Sequence, residues 1–155
     1  MFETQVPMAL KAVKVKLDPN DGAPIRLCTL TLACEFDLLV AGGLGGDARE
    51  ALASLKSGGM TRCELPIDAL LVEAKLVAEG KSIVLKNLKG TKATARAGSE
   101  EKPPHIDLEF AFLFEREAWA FFGEHVGALA LVTMNRMQME LLRSVEPAKS
   151  KRTVQ

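Results

Sequence analysis

After Pro104 the chain sets an apolar side chain at every second position: Ile106, Leu108, Phe110, Phe112 and Phe114. Asp107 and Glu109 fall between them. A period of two sends the apolar set to one face of an extended strand and the carboxylates to the other, so this segment lines a core on one side only. Such a strand needs a neighbour. The run Ile83–Arg96 supplies it, joined through Gly98-Ser99-Glu100-Glu101-Lys102-Pro103-Pro104, a polar link that cannot be strand interior. The pair commits the chain to an antiparallel sheet.

The front of the chain repeats the pattern. From Ala9 to Leu17, Val13, Val15 and Leu17 alternate with Lys14 and Lys16. Asp18-Pro19-Asn20-Asp21-Gly22 is strong turn chemistry, and Ile25 to Phe36 follows with Leu30, Leu32, Cys34 and Phe36 on one face, so the two runs read as a hairpin. Ile67 to Ala78 fits a helical stripe and also a strand; the strand is preferred because the chain resumes as strand after a compact turn at Gly80-Lys81.

Two helices are expected. Ala48 to Lys56 has Leu52 and Leu55 inward, capping-box spacing at Asp47 and Glu50, and Gly58-Gly59 as its stop. Glu115 to Val126 has Ala118, Trp119, Phe122 and Val126 at core spacing, with Gly127 ending it. Ala128 to Met134 is either a last strand or the start of a helix through Met137 and Leu141. The expected fold is α+β: one domain over residues 1–146, an antiparallel sheet of about five to seven strands with two helices packed on it, then a basic tail over 147–155.

Twenty basic and twenty acidic side chains leave a formal net charge of zero. No global field draws in nucleic acid or an anionic membrane, and a near-neutral surface opposes self-association weakly, so a homo-oligomer is expected. Cys28, Cys34 and Cys63 are too few and too scattered for a disulfide framework and read as small hydrophobes of a reducing cytoplasm. The N-terminal residues lack the features of a secretory leader, and no apolar run reaches membrane length.

Catalytic chemistry is thinly represented. His105 and His125 have no nucleophile beside them in sequence, and no catalytic residue, cofactor or metal is expected. Gly43-x-Gly45-x-x-Ala48 fits a loose dinucleotide-binding pattern, with Asp68 at ribose distance. Asp47 would repel a pyrophosphate there, so the glycines at 42–46 read better as a loop feeding a helix, with nucleotide binding kept as a lesser alternative.

Two surfaces could carry binding. The stretch from Lys81 to Arg96 holds Lys81, Lys86, Lys89, Lys92 and Arg96 and no acid, which suits a phosphate backbone. Lys149, Lys151 and Arg152 in the tail add to it. Against this, Asp107 and Glu109 on the neighbouring strand would cancel charge around Thr94 and Arg96. The second surface is apolar: Trp119, Met134, Met137 and Met139 could meet a partner or a like subunit.

Ile83-Val84-Leu85-Lys86-Asn87-Leu88-Lys89, the strand His105 to Phe114 and the helix-glycine-strand ending Glu117 to Leu131 together resemble small accessory proteins of tailed-phage early regions. The resemblance covers under half of the chain and carries no catalytic residue. It implies a phage or prophage protein acting near DNA metabolism or against a host protein. The function expected is non-enzymatic binding or assembly, foremost on single-stranded DNA or a DNA–protein complex, with an inhibitor or adaptor of a host protein as alternative.

Overall fold

The computed structural model describes residues 1–18 and 25–137. Seven strands and three helices follow one another as β1 (Phe2–Asp18), β2 (Ile25–Glu35), α1 (Leu38–Leu44), α2 (Ala48–Ser57), β3 (Arg62–Leu65), β4 (Leu71–Ala78), β5 (Lys81–Arg96), β6 (His105–Leu113), α3 (Arg116–His125) and β7 (Leu129–Arg136). Every strand pair is antiparallel. The hairpin β1–β2 and the pair β5–β6 form as the alternation requires.

The sheet is not open. Its order is β3-β5-β4-β7-β1-β2-β6, and β5 also pairs with β6, so six strands close into a barrel and β3 stands outside it. Two long strands make closure possible. β1 pairs with β7 through residues 2–9 and with β2 through residues 9–18. β5 pairs with β4 through residues 81–89 and with β6 through residues 89–96. Each thus changes neighbour halfway along, which gives the stagger a closed sheet needs.

Register irregularities support the bending, one of them between Phe2 and Val6 of β1 against β7. Lys11, Thr91 and the pair Lys86–Asn87 are extra residues against one fewer on the facing strand. Asn87 takes a φ of 60°, which asparagine tolerates better than most residues. The bulges on β5 shift its phase, so Leu85, Leu88, Ala93 and Ala95 all point inward although their spacing is irregular.

The interior is solid with side chains. Met8, Leu10, Leu30, Leu32, Leu76, Leu88, Ile106, Leu108 and Phe110 are buried there. Helices close both ends. At one end α3 runs from β6 to β7 and inserts Phe122, whose ring meets Phe112 at a centroid distance of 6.0 Å. At the other, α1 and α2 bury Val40, Leu44, Leu52 and Leu55.

Several expectations are corrected. The described residues form three helices, and these plug barrel ends rather than cover one face of an open sheet. The third, α1, runs through Gly42 and Gly43; a Cβ on Gly43 would collide with the Phe2 ring, so the small residue permits close packing. Asp37 caps α1 by accepting from the Val40 amide at 2.9 Å, whereas Asp47 makes no side-chain cap to α2. On α3 the inward face is Ala118, Phe121, Phe122 and His125; Trp119 and Val126 are exposed. Residues 67–70 form a turn, with the Leu70 amide donating to the Ile67 carbonyl, and β4 follows as strand. The β4–β5 turn is centred on Glu79-Gly80, both at positive φ, as a tight hairpin demands.

Candidate nucleic-acid interface

The basic stretch of β5 divides in two when its neighbours are in place. Cross-strand register sets Lys92 opposite Glu109 and Thr94 opposite Asp107. Asp107 Oδ2 accepts from Lys11 Nζ at 2.7 Å and from Arg96 at 3.2 Å. Lys92 lies 3.9 Å from Glu64, which also meets Arg62 at 3.2 Å. The cancellation anticipated from sequence is therefore realised for Arg96 through Asp107, whereas Lys92 faces Glu109 across the strands and, among the described residues, has its one ion contact with Glu64 on β3.

Lys86 and Lys89 differ. Both are exposed, and among the described residues neither makes an ion pair. The register across the wall adds cations from the far end of the sequence. Lys14 pairs with Thr29, Thr29 with Ala111, and Ala111 with Lys89, so two lysines flank a shallow valley of small side chains on one face. With strands roughly 4.8 Å apart, the backbones bearing Lys14 and Lys89 stand about 14 Å apart. The adjoining row holds Lys16, Leu27 and Leu113, with Leu113 62% exposed. Lys86 borders a small depression with Leu113, where Glu115 is the one carboxylate. Four lysines, Lys14, Lys16, Lys86 and Lys89, thus edge one outer wall, with Glu115 beside Lys86, Glu73 across from the Lys86–Asn87 bulge, and Glu109 two residues along β6 from Ala111.

Sequence reasoning placed Lys14 and Lys16 on the wet face of β1 but did not join them to β5. Only the chain of pairings β1–β2–β6–β5 does so. The tail residues Lys149, Lys151 and Arg152 lie outside the described residues, as does Met139.

The apolar contact set does not assemble. Met134 is fully buried in the barrel, where β7 turns it inward, and so cannot meet a partner. Trp119 packs on Phe114, centroids 6.3 Å apart, at the α3 end, while Met137 follows β7 at the other end and donates its amide to Leu71. A different apolar row lies on the outer surface: half-buried Val77 on β4 and exposed Leu131 on β7 and Pro7 on β1 stand side by side, next to Leu129, which is 64% exposed.

The glycines at 42–46 belong to α1 and the turn after it, between antiparallel elements, which is not the strand–loop–helix a pyrophosphate requires. His125 is buried and structural in its contacts. Its Nδ1 lies 2.9 Å from Glu79, tying α3 to the β4–β5 turn. Alongside, Lys81 bonds Glu124 at 3.0 Å, and that hydrogen bond and the ammonium charge hold the Glu124 carboxyl below its ordinary range. His105 is exposed. No group of three or more His, Cys, Asp or Glu among the described residues is placed to hold a metal ion, and no described helix is long and apolar enough to cross a membrane. Comparison of the chain with protein-family models, with curated proteins and with solved structures gives no match.

Proposed function

We propose that this chain is a non-enzymatic binding protein that holds a single-stranded nucleic acid across the outer wall formed by β1, β2, β6 and β5. The observation that carries the proposal is the row Lys14–Thr29–Ala111–Lys89, flanked by Lys16 and Lys86. The filled interior leaves binding to the outside of the barrel. Lysines spaced across a flat face suit the successive phosphates of a flexible strand, and Leu27 and Leu113 offer an apolar footing for bases. An accessory role in DNA metabolism is the class that the resemblance implies.

Four phosphate contacts give a slope of log K against log salt of about −3, so binding of an oligothymidylate should weaken about 50-fold between 50 and 200 mM salt. Replacing Lys14 and Lys89 together by alanine should make that slope shallower by about 1.4. Arg96→Ala should leave the slope nearly unchanged, because its guanidinium is already matched by Asp107. Fluorescence anisotropy over a salt series measures all three. Salt-insensitive binding, or an equal effect of Arg96→Ala, would overturn the assignment.

The row Pro7–Leu131–Val77 favours a second reading, an adaptor that meets another protein through the opposite wall. Leu129→Lys with Leu131→Lys should leave stability within about 0.5 kcal/mol, since both side chains are exposed, while reducing uptake of a hydrophobic dye.

A further inference from the structure

β3 has one partner, β5, and its other edge is open among the described residues. The Ala97 amide donates to the Thr61 carbonyl, which makes Thr61 and Ala97 a hydrogen-bonded pair. Antiparallel alternation then makes Cys63–Ala95 and Leu65–Ala93 bonded pairs too, and turns the backbone groups of Arg62 and Glu64 away from β5. The free edge therefore presents the N–H and C=O of Arg62 and of Glu64, the Glu64 carbonyl also taking a long contact from Cys63 Sγ at 3.6 Å. The two side chains carry opposite charges that meet within the chain at 3.2 Å and would be shared with those of a second copy.

We propose that this edge pairs with the same edge of a second copy, antiparallel about a twofold axis at Cys63. In that register Arg62 stands opposite Glu64 of the second copy and Glu64 opposite its Arg62. Both are the residues whose backbone groups face outward, so the hydrogen bonds and the charges are satisfied by one arrangement. A slip by one residue sets outward groups against inward ones. A slip that keeps the bonding sets Arg62 against Arg62 or Glu64 against Glu64. Charged residues on an edge strand ordinarily discourage pairing; here their order, plus then minus around a central residue, is self-complementary and selects a closed dimer. The groove beside this edge, about 270 Å³ and bounded by α2, leaves Cys63 half-buried and reachable.

The test is charge reversal read by native mass in a light-scattering detector. The wild-type chain should be dimeric at about 100 μM, a range suited to a small interface. Arg62→Glu alone and Glu64→Arg alone should each raise the dissociation constant at least about tenfold, because like charges then face each other. The double variant restores the complement with its signs exchanged and should return to within about threefold of wild type. A second readout uses position. Cys63 would face Cys63 of the second copy in a non-bonded pair with Cα atoms roughly 4.5 Å apart, inside disulfide range. Copper–phenanthroline, which takes two electrons as two thiols lose their protons, should therefore link two chains, and Cys63→Ser should abolish the link. A monomeric wild type, single reversals that remain dimeric, or a double variant no better than the singles would overturn the proposal. Native mass is read without nucleic acid, and none of these substitutions falls on Lys14, Lys16, Lys86 or Lys89, although Glu64→Arg also removes the acid beside Lys92. Failure here therefore leaves the nucleic-acid reading standing, and the reverse holds as well.

Discussion

Gly90→Ala is expected to lower the melting temperature by roughly 6–12 °C, from a cost of about 3 kcal/mol at 2–4 °C per kcal/mol for a chain of this size. A Cβ at this position would run into the backbone oxygen of Ile67, with the carbonyl carbon at 3.0 Å and Cγ1 at 3.1 Å. That oxygen cannot swing aside, since it accepts from the Leu70 amide at 2.9 Å, and the Leu70 carbonyl in turn accepts from the Gly90 amide at 2.9 Å. The crowding falls where β5 leaves β4 and takes up β6, with Gly90 opposite the buried Phe110. Relief of the clash would loosen barrel closure itself. Gly123→Ala is the matched control. Gly123 lies within α3 with nothing near its added Cβ, so alanine there should stabilise by about 1 kcal/mol through helix propensity alone. Thermal melts followed by circular dichroism would show opposite signs; equal shifts would mean that the contact with Ile67 does not limit this site.

The parts of the fold legible in sequence are those with a long, regular period. β2 and β6 announce their inner faces residue by residue, and the link through Pro103-Pro104 joins β5 to β6 as neighbours. Closure was not legible. Alternation tells which side of a strand is oily, but it does not say which strand lies along each edge, and the pairings β1–β7 and β4–β7 join distant segments with no turn between them. β3 is too short, at four residues, to show a period. α1 is masked by glycines that lower helix propensity; it forms because Asp37 caps it and Phe2 needs a neighbour without a side chain.

The site followed the same division. The sequence named Lys86, Lys89, Lys92 and Arg96 within one basic stretch, and it also named the acids that would cancel part of it. What it could not weigh was which cations the acids would reach. The register sets Lys92, not Thr94, opposite Glu109, and Lys11 and Arg96 converge on Asp107. The cations left over are on the other side of that line, where β1 contributes Lys14 and Lys16. Met134 shows the opposite error: a methionine counted as surface because its segment was undecided proves to be core once β7 is a strand.

Above pH 9 the folded state is expected to lose stability through Cys34. Burial, then the nearby carboxylates of Asp37, Asp107 and Glu35, push its thiol up to about 12 from an ordinary value near 9. The folded chain therefore keeps a proton that the unfolded chain sheds between pH 9 and 12. Fewer protons on the unfolded state mean that stability falls as pH rises, by about 1.4 kcal/mol per pH unit across this window, while below pH 9 the contribution is constant. Burial raises the Cys28 thiol as well, so it acts in the same direction. The chain has no tyrosine, which removes one competing titration from the window. Urea denaturation from pH 8 to 11 should show a shallower decline in Cys34→Ala than in the wild type, whatever that substitution costs at pH 8, since the slope reports the proton and the offset reports packing. The same logic governs reactivity. At pH 8 only about one Cys34 thiol in 10⁴ is a thiolate, so an alkylating agent should modify half-buried Cys63 and spare Cys34 until the barrel unfolds. Parallel stability curves for wild type and variant above pH 9 would show that burial and the neighbouring carboxylates do not hold this thiol protonated.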